Sequence, residues 1–147
     1  MVVLIADPHP AFRELVRRQL GHVATVVAET SNGEEAVRLA MHLRPDVALV
    51  NTRLEGLDGL AVTARIKAAA PETKVILITA HTEEAYLSAT GRSGADLLLP
   101  MPEARTRLLR AIREVSPPWN GKERRGVREP RQVWDGQERR RDRSPRR

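Results

Sequence analysis

Three short apolar runs in this sequence end beside residues able to do chemistry. Val2 to Ala6 is followed by Asp7, Asp46 to Val50 by Asn51, and the run from Lys74 closes on Thr79. A carboxylate, a carboxamide and a hydroxyl brought together can orient a ligand and exchange hydrogen bonds. One carboxylate offers a divalent cation only a weak hold, so Asp7 is a weak metal candidate. Lying between a buried strand and a helix, it more plainly caps that helix or hydrogen-bonds Asn51 or Thr79, while Thr79 reads equally as a hydroxyl that satisfies a strand end. His9 and His81 fall on loops near the same edge and invite a transition-metal reading with Asp7, but no tight histidine spacing supports it. His22 and His42 read as surface or strand-end residues. Gly33, Gly56, Gly59 and Gly94 punctuate turns, and none belongs to a GxGxxG or GxxxxGK phosphate loop, so nucleotide binding has no support. Without cysteine there are no disulfides, thiolate metal sites or thiol nucleophiles. These residues form no catalytic constellation, and the chain is read as a non-enzyme.

The elements that position these residues follow from the hydrophobic period. Val2 to Ala6 is short and β-branched, as a buried strand should be, and Phe12, Leu15, Val16 and Leu20 then follow at helical spacing. The unit repeats. Val23 to Ala28 reads as a strand, and a helix follows in which Ser31 and Glu34 are placed for a capping box ahead of Ala36, Val37 and Ala40. Asp46 to Val50 is a third strand, Leu60 to Ala70 a third helix closed by Pro71, and Lys74 to Thr79 a fourth strand. A helix over Thr82 to Gly91, a strand over Ala95 to Leu99 and a helix over Glu103 to Val115, with Leu108, Leu109 and Ile112 on one stripe, complete the pattern. Strands buried on both faces with helices between them require right-handed crossovers and a parallel sheet covered on both sides. A closed eight-fold barrel needs roughly 250 residues, so the expected class is α/β, a doubly wound five-stranded parallel sheet of order 2-1-3-4-5. In that sheet Asp7, Asn51 and Thr79 face one crevice at the switch point.

The chain has 147 residues, the size of one domain with an appendage, and a formal net charge of +6. That charge is confined to one end. Residues 1–115 carry 14 Lys+Arg against 14 Asp+Glu, whereas residues 116–147 carry 11 against 5. The basic balance therefore describes a tail, which has no sustained apolar period, holds both tryptophans (Trp119 and Trp134) and is expected to be disordered. A tail of this kind can make non-specific contact with nucleic acid, arginines meeting phosphates and tryptophans stacking on bases. It lacks a recognition helix for sequence-specific DNA binding. The start of the chain has no signal-peptide pattern and no segment approaches the ~20 apolar residues of a membrane span, so a cytoplasmic location without membrane contact is expected.

The segments IADPHPAFRELVRRQL, PDVALVNTRLEGLDGL, VILITA and GADLLLPMP, in that order and spacing, resemble the receiver domain of two-component response regulators, with the flavodoxin-like (CheY-like) fold. The likeness is greatest to receivers of regulators with a helix-turn-helix output, and it covers residues 1–115. The resemblance implies phosphoryl transfer from a histidine kinase to an aspartate ending the third strand. Two carboxylates after the first strand would help that aspartate hold Mg2+, and a Thr or Ser and a Lys would contact the phosphoryl oxygens. Asp7 matches the first acidic position and Thr79, followed by Ala80, the hydroxyl position. Pro8 takes the second acidic position, Asn51 the phosphoacceptor position and Met101 the lysine position, beside the retained Pro102. The aromatic switch position holds Leu98, and Glu55 stands where the family has a proline, although Gly56, Asp58 and Gly59 survive.

A neutral amide is no substitute for a carboxylate nucleophile, and Pro8 offers no side-chain ligand. Asp7 and the backbone carbonyl of Arg53 would make a poor magnesium site, so Mg2+ binding is expected to be weak or absent. Met101 suits a pocket emptied of charge. Three replacements at the chemical positions within an intact core pattern lead to a single-domain signalling protein of phosphorelay type that works by protein contact, independently of phosphorylation. Its partner would be a histidine kinase or an output regulator. A homodimer through the face of the fourth helix, fifth strand and fifth helix is the other contact the resemblance implies. Two alternatives stand beside this reading: a basic-tailed, nucleic-acid-associated regulator, and a phosphoacceptor using a non-standard carboxylate such as Asp58 or Asp7. Asp58 belongs to the turn beyond the third strand and is expected to point away from the crevice.

Overall fold

The computed structural model describes residues 1–80, 88 and 91–116. The element order is β1 (Val2–Ala6), α1 (Pro10–Leu20), β2 (Thr25–Thr30), α2 (Gly33–Leu43), β3 (Val47–Asn51), α3 (Gly59–Ala69), β4 (Lys74–Thr79), β5 (Leu97–Pro100) and a C-terminal helix (Met101–Val115). The five strands form one sheet in the order β2-β1-β3-β4-β5, with every pairing parallel. The doubly wound sheet expected from the sequence is therefore the one observed. The expected helix over Thr82 to Gly91 lies largely outside the described residues, as does His81, and so does the tail beyond Ser116 with the disorder expected there.

Strand alternation divides the core in two. Val3, Ile5, Val47, Leu49, Ile76, Ile78 and Leu99 face α1 and the C-terminal helix, where Val16, Leu20, Leu108 and Ile112 are buried. Leu4, Ala6, Ala48, Val50, Val75 and Leu77 point to the other face, against Ala36, Val37 and Ala40 of α2 and Val62 and Ile66 of α3. Covering both faces explains why β1, β3 and β4 read as nearly continuous apolar runs with little alternation.

Several boundaries differ from the sequence expectation. The second strand runs from Thr25 to Thr30, two residues later than expected, and its pairing with β1 shifts register between Val3 and Leu4, so that Val26 and Ala28 face successive β1 residues. Val23 is left outside it and 44% exposed. The cap of α2 is Asn32, whose side chain accepts from the Glu35 N–H at 3.0 Å; Ser31 and Glu34 form no capping box because the helix begins one residue later. The third strand ends one residue later than expected, on Asn51 itself, and the fifth is shorter than expected, beginning at Leu97. Gly33 and Gly59 are the first residues of α2 and α3 rather than turn residues. Each is needed for close approach, since a Cβ would lie 2.0 Å from the Leu57 carbonyl oxygen and 2.2 Å from that of Asn51, respectively.

Candidate functional site

At the carboxyl edge of the sheet β1 and β3 are hydrogen-bonded neighbours, and this adjacency carries Asp7 alongside Asn51. The Asn51 Nδ2 donates to Asp7 Oδ2 at 2.9 Å, with Asp7 1% and Asn51 4% exposed. The other end of the amide is used as well, because Asn51 Oδ1 accepts from the Arg53 N–H at 2.9 Å. Asp7 Oδ1 accepts from the His9 N–H at 2.7 Å and lies 3.1 Å from His9 Nδ1. The carboxylate thus bonds to the backbone where the chain turns into α1, near the positive end of that helix. Asp7 does not occupy the N-cap position. That residue is His9, and its side chain makes no cap bond.

Three residues not singled out in the sequence, Arg13, Arg17 and Glu29, form a network beside this edge. Arg13 Nη1 donates to the Asp7 carbonyl oxygen at 2.6 Å, and its Nε lies 3.3 Å from Glu29 Oε1 on β2. Arg17 pairs with the same carboxylate. Arg13 is one turn into α1 and Glu29 is on the adjacent strand, so only their meeting in space reveals the network. Glu55 acts through its backbone. Its N–H donates to the Ser31 carbonyl at 3.1 Å and its carbonyl accepts from the Gly33 N–H at 2.9 Å, linking the loops after β2 and β3. A proline at this position would lack the donor.

The remaining expected residues are placed as follows. Thr79 ends β4, 1% exposed, one residue beyond Ile78, the register partner of Asn51. Leu98 is half-buried and packs toward the α2 and α3 side of the sheet. Met101 opens the C-terminal helix and packs against the opposite core face, and Pro8 is partly exposed between Asp7 and His9. Asp58 is the N-cap of α3, its Oδ1 accepting from the Ala61 N–H at 2.9 Å.

Each Asp7 oxygen thus accepts from an N–H donor, so a cation would share the carboxylate with the His9 N–H and the Asn51 amide. Among the described residues no cluster of three metal-ligating side chains occurs, and no buried side-chain nitrogen or oxygen lacks a hydrogen-bond partner. Asp7 and Asn51 bond to each other at a buried edge, and Thr79 is buried at the end of the neighbouring strand β4.

A five-stranded 2-1-3-4-5 sheet with an acidic residue after β1, a polar residue ending β3 and a hydroxyl ending β4 defines the receiver class of signalling domain. Residues 3–113 match the response regulator receiver domain model, and the chain belongs to that family. The probable transcriptional regulatory protein NarL of Mycobacterium tuberculosis is 37% identical over 112 residues, covering 75% of this chain and 52% of NarL. The response regulator GacA of Pseudomonas aeruginosa is 29% identical over 115 residues, covering 77% of this chain and 54% of GacA. This chain spans about half the length of these curated relatives. The solved signal receiver domain of the putative response regulator NarL from M. tuberculosis superposes with a TM-score of 0.71 at 36% identity, covering 77% of this chain and 93% of that domain. The protein is therefore a receiver domain of two-component signalling. No described helix is long and apolar enough to cross a membrane.

Proposed function

We propose that this receiver signals without accepting a phosphoryl group, its output carried by contact with another protein. The observation that carries the reading is the 2.9 Å hydrogen bond from Asn51 Nδ2 to Asp7 Oδ2. The amide donates a hydrogen bond to the remaining acidic side chain, a role an aspartate there could fill only in its protonated form. A carboxylate needs either a cation or a donor beside it, and here a donor is built in. The residues do not fit a magnesium ion: one carboxylate remains, it faces an amide N–H donor, and Pro8 supplies no side-chain ligand.

Other acceptors are disfavoured on the same grounds. Asp58 is committed to capping α3, and Asp7 is 1% exposed with both oxygens hydrogen-bonded. Burial closes Asp7 to a phosphodonor, and the N-cap bond ties up one of the two Asp58 oxygens. The contact face for a partner, whether a histidine kinase, a separate output regulator or a second copy of the chain, is placed on β5 and the C-terminal helix. A shallow groove there joins Leu97, Leu98 and Leu99 to Arg107 and Arg110.

The test is intact-protein mass spectrometry after incubation with acetyl phosphate or phosphoramidate, with and without Mg2+. No added phosphate is expected on the wild type and little on Asn51→Asp alone. Partial labelling is expected on the combined Pro8→Asp, Asn51→Asp and Met101→Lys variant, because phosphoryl transfer needs nucleophile, metal and charge clamp together. A phosphorylated wild-type species mapped to a carboxylate at this edge would overturn the proposal.

A further inference from the structure

The basic segment beyond the folded domain contains a duplication. Trp119-Asn120-Gly121-Lys122-Glu123-Arg124-Arg125 recurs fifteen residues later as Trp134-Asp135-Gly136-Gln137-Glu138-Arg139-Arg140, and the correspondence continues through Arg128 with Arg143, Pro130 with Pro145 and Arg131 with Arg146. Eight of thirteen positions are identical, and they include tryptophan, glycine, glutamate and proline as well as arginine. An electrostatic tether or a solubilising appendage needs only charge, in any order. A repeated order of chemically different residues is what a ligand read twice would require.

The composition of each unit indicates the ligand. The first carries five basic residues against two acids and the second five against three, each with one flat aromatic side chain. Guanidinium groups match phosphate oxygens, and a tryptophan stacks on any base. An anionic membrane surface would also attract the arginines, but one tryptophan in fifteen residues provides little apolar area for insertion. We propose that the duplicated segment is a two-module binding element for single-stranded nucleic acid, each module supplying a tryptophan for base stacking and an Arg-Arg pair for the backbone.

The fold limits how far the first tryptophan can reach. The C-terminal helix ends at Val115, and the Oγ of its C-cap Ser116 is 3.4 Å from Met1 Sδ, at the opposite edge of the sheet from Asp7 and Asn51. Trp119 is three residues further on, a reach of at most about 11 Å, and the five residues of β1 alone span about 16 Å. Trp119 therefore falls short of the Asp7–Asn51 edge, and the proposal does not rest on the phosphorylation-free reading.

The test uses the full chain and a short oligothymidylate. Both tryptophans lie in the segment, so intrinsic tryptophan fluorescence reports on it without background from the domain. Binding is expected to quench that emission, to exceed binding to duplex DNA and to weaken steeply between about 50 and 200 mM salt. Trp119→Ala and Trp134→Ala, followed by anisotropy of a labelled oligonucleotide, should each weaken binding about 5-fold or more. The double variant should lose more than either, and Asn51→Asp should bind like the wild type. A full-length variant with the sequence of residues 117–147 shuffled at constant composition should bind markedly more weakly than the wild type. Equal binding by the shuffled or the double-tryptophan variant would reduce the element to bulk charge and overturn the proposal. So would no binding at low salt, or retention on anionic phospholipid vesicles that the oligonucleotide fails to compete.

Discussion

Replacing Asn51 by aspartate installs the residue type that the receiver resemblance implies at this position, yet the structure makes it a destabilising change. The exchange converts the Nδ2 donor, 2.9 Å from Asp7 Oδ2, into a second carboxylate oxygen in a site where Asp7 is 1% and Asn51 4% exposed. With the two charges centred about 4 Å apart, their repulsion is about 4 kcal/mol at an effective dielectric of 20. The pair can escape by retaining one proton, and holding a proton at pH 7 on a group of ordinary pKa near 4 costs about 4 kcal/mol by the same scale. The protonated member can then donate to its neighbour and recover part of this, so a net loss of about 3 kcal/mol is expected, a fall in Tm of about 10 °C or more. The folded pair holds a proton that the unfolded chain has released between roughly pH 4 and 7, so stability falls as pH rises and returns toward pH 5. Urea denaturation at pH 7 and pH 5, free of divalent cations, measures both effects. Asn51→Ala provides the comparison, since it removes the amide's hydrogen bonds at a cost of about 1–3 kcal/mol without adding charge. Millimolar Mg2+ should restore only a small part of the loss. An Asn51→Asp protein as stable as wild type at pH 7, a loss that does not shrink toward pH 5, or complete rescue by Mg2+ would refute this account of the pocket.

Two further changes, each paired with a control, test the packing and capping around the site. Gly59→Ala puts a methyl group 2.2 Å from the Asn51 carbonyl oxygen, a backbone contact that cannot yield cheaply, and is expected to cost more than about 2 kcal/mol by thermal denaturation. Gly91→Ala, with nothing within 4 Å of the new methyl group, should be neutral or slightly stabilising in the same assay. Asn32→Ala removes the cap on the Glu35 N–H and should lower stability by about 1 kcal/mol, whereas Ser31→Ala, which the sequence pattern marks as the cap, should be close to neutral.

Much of this architecture could be read from local pattern. Whether a run is strand or helix depends on the spacing of apolar residues within it, so the alternation from Val2 to Val115 and the inward faces of Leu108 and Ile112 follow from the chain alone. Crossover handedness and chain length then leave little besides the 2-1-3-4-5 sheet, and the strand-end rule nominates Asp7, Asn51 and Thr79. The phosphorylation-free proposal starts from residue types, and Pro8, Asn51 and Met101 are visible without coordinates. Hydrogen-bond partnership is a different matter, because it depends on register and on groups far apart in the chain. The irregularity beside Val3 and Leu4 sets how β2 pairs with β1, and with it where Glu29 meets Arg13 and Arg17. The cap of α2 moved from Ser31 to Asn32 where that loop is bonded to Glu55, a residue more than twenty positions away. Asn51 could in principle have turned either end of its amide toward Asp7. Tertiary packing decided it, since the Arg53 N–H needs the oxygen and the buried Asp7 carboxylate needs the N–H.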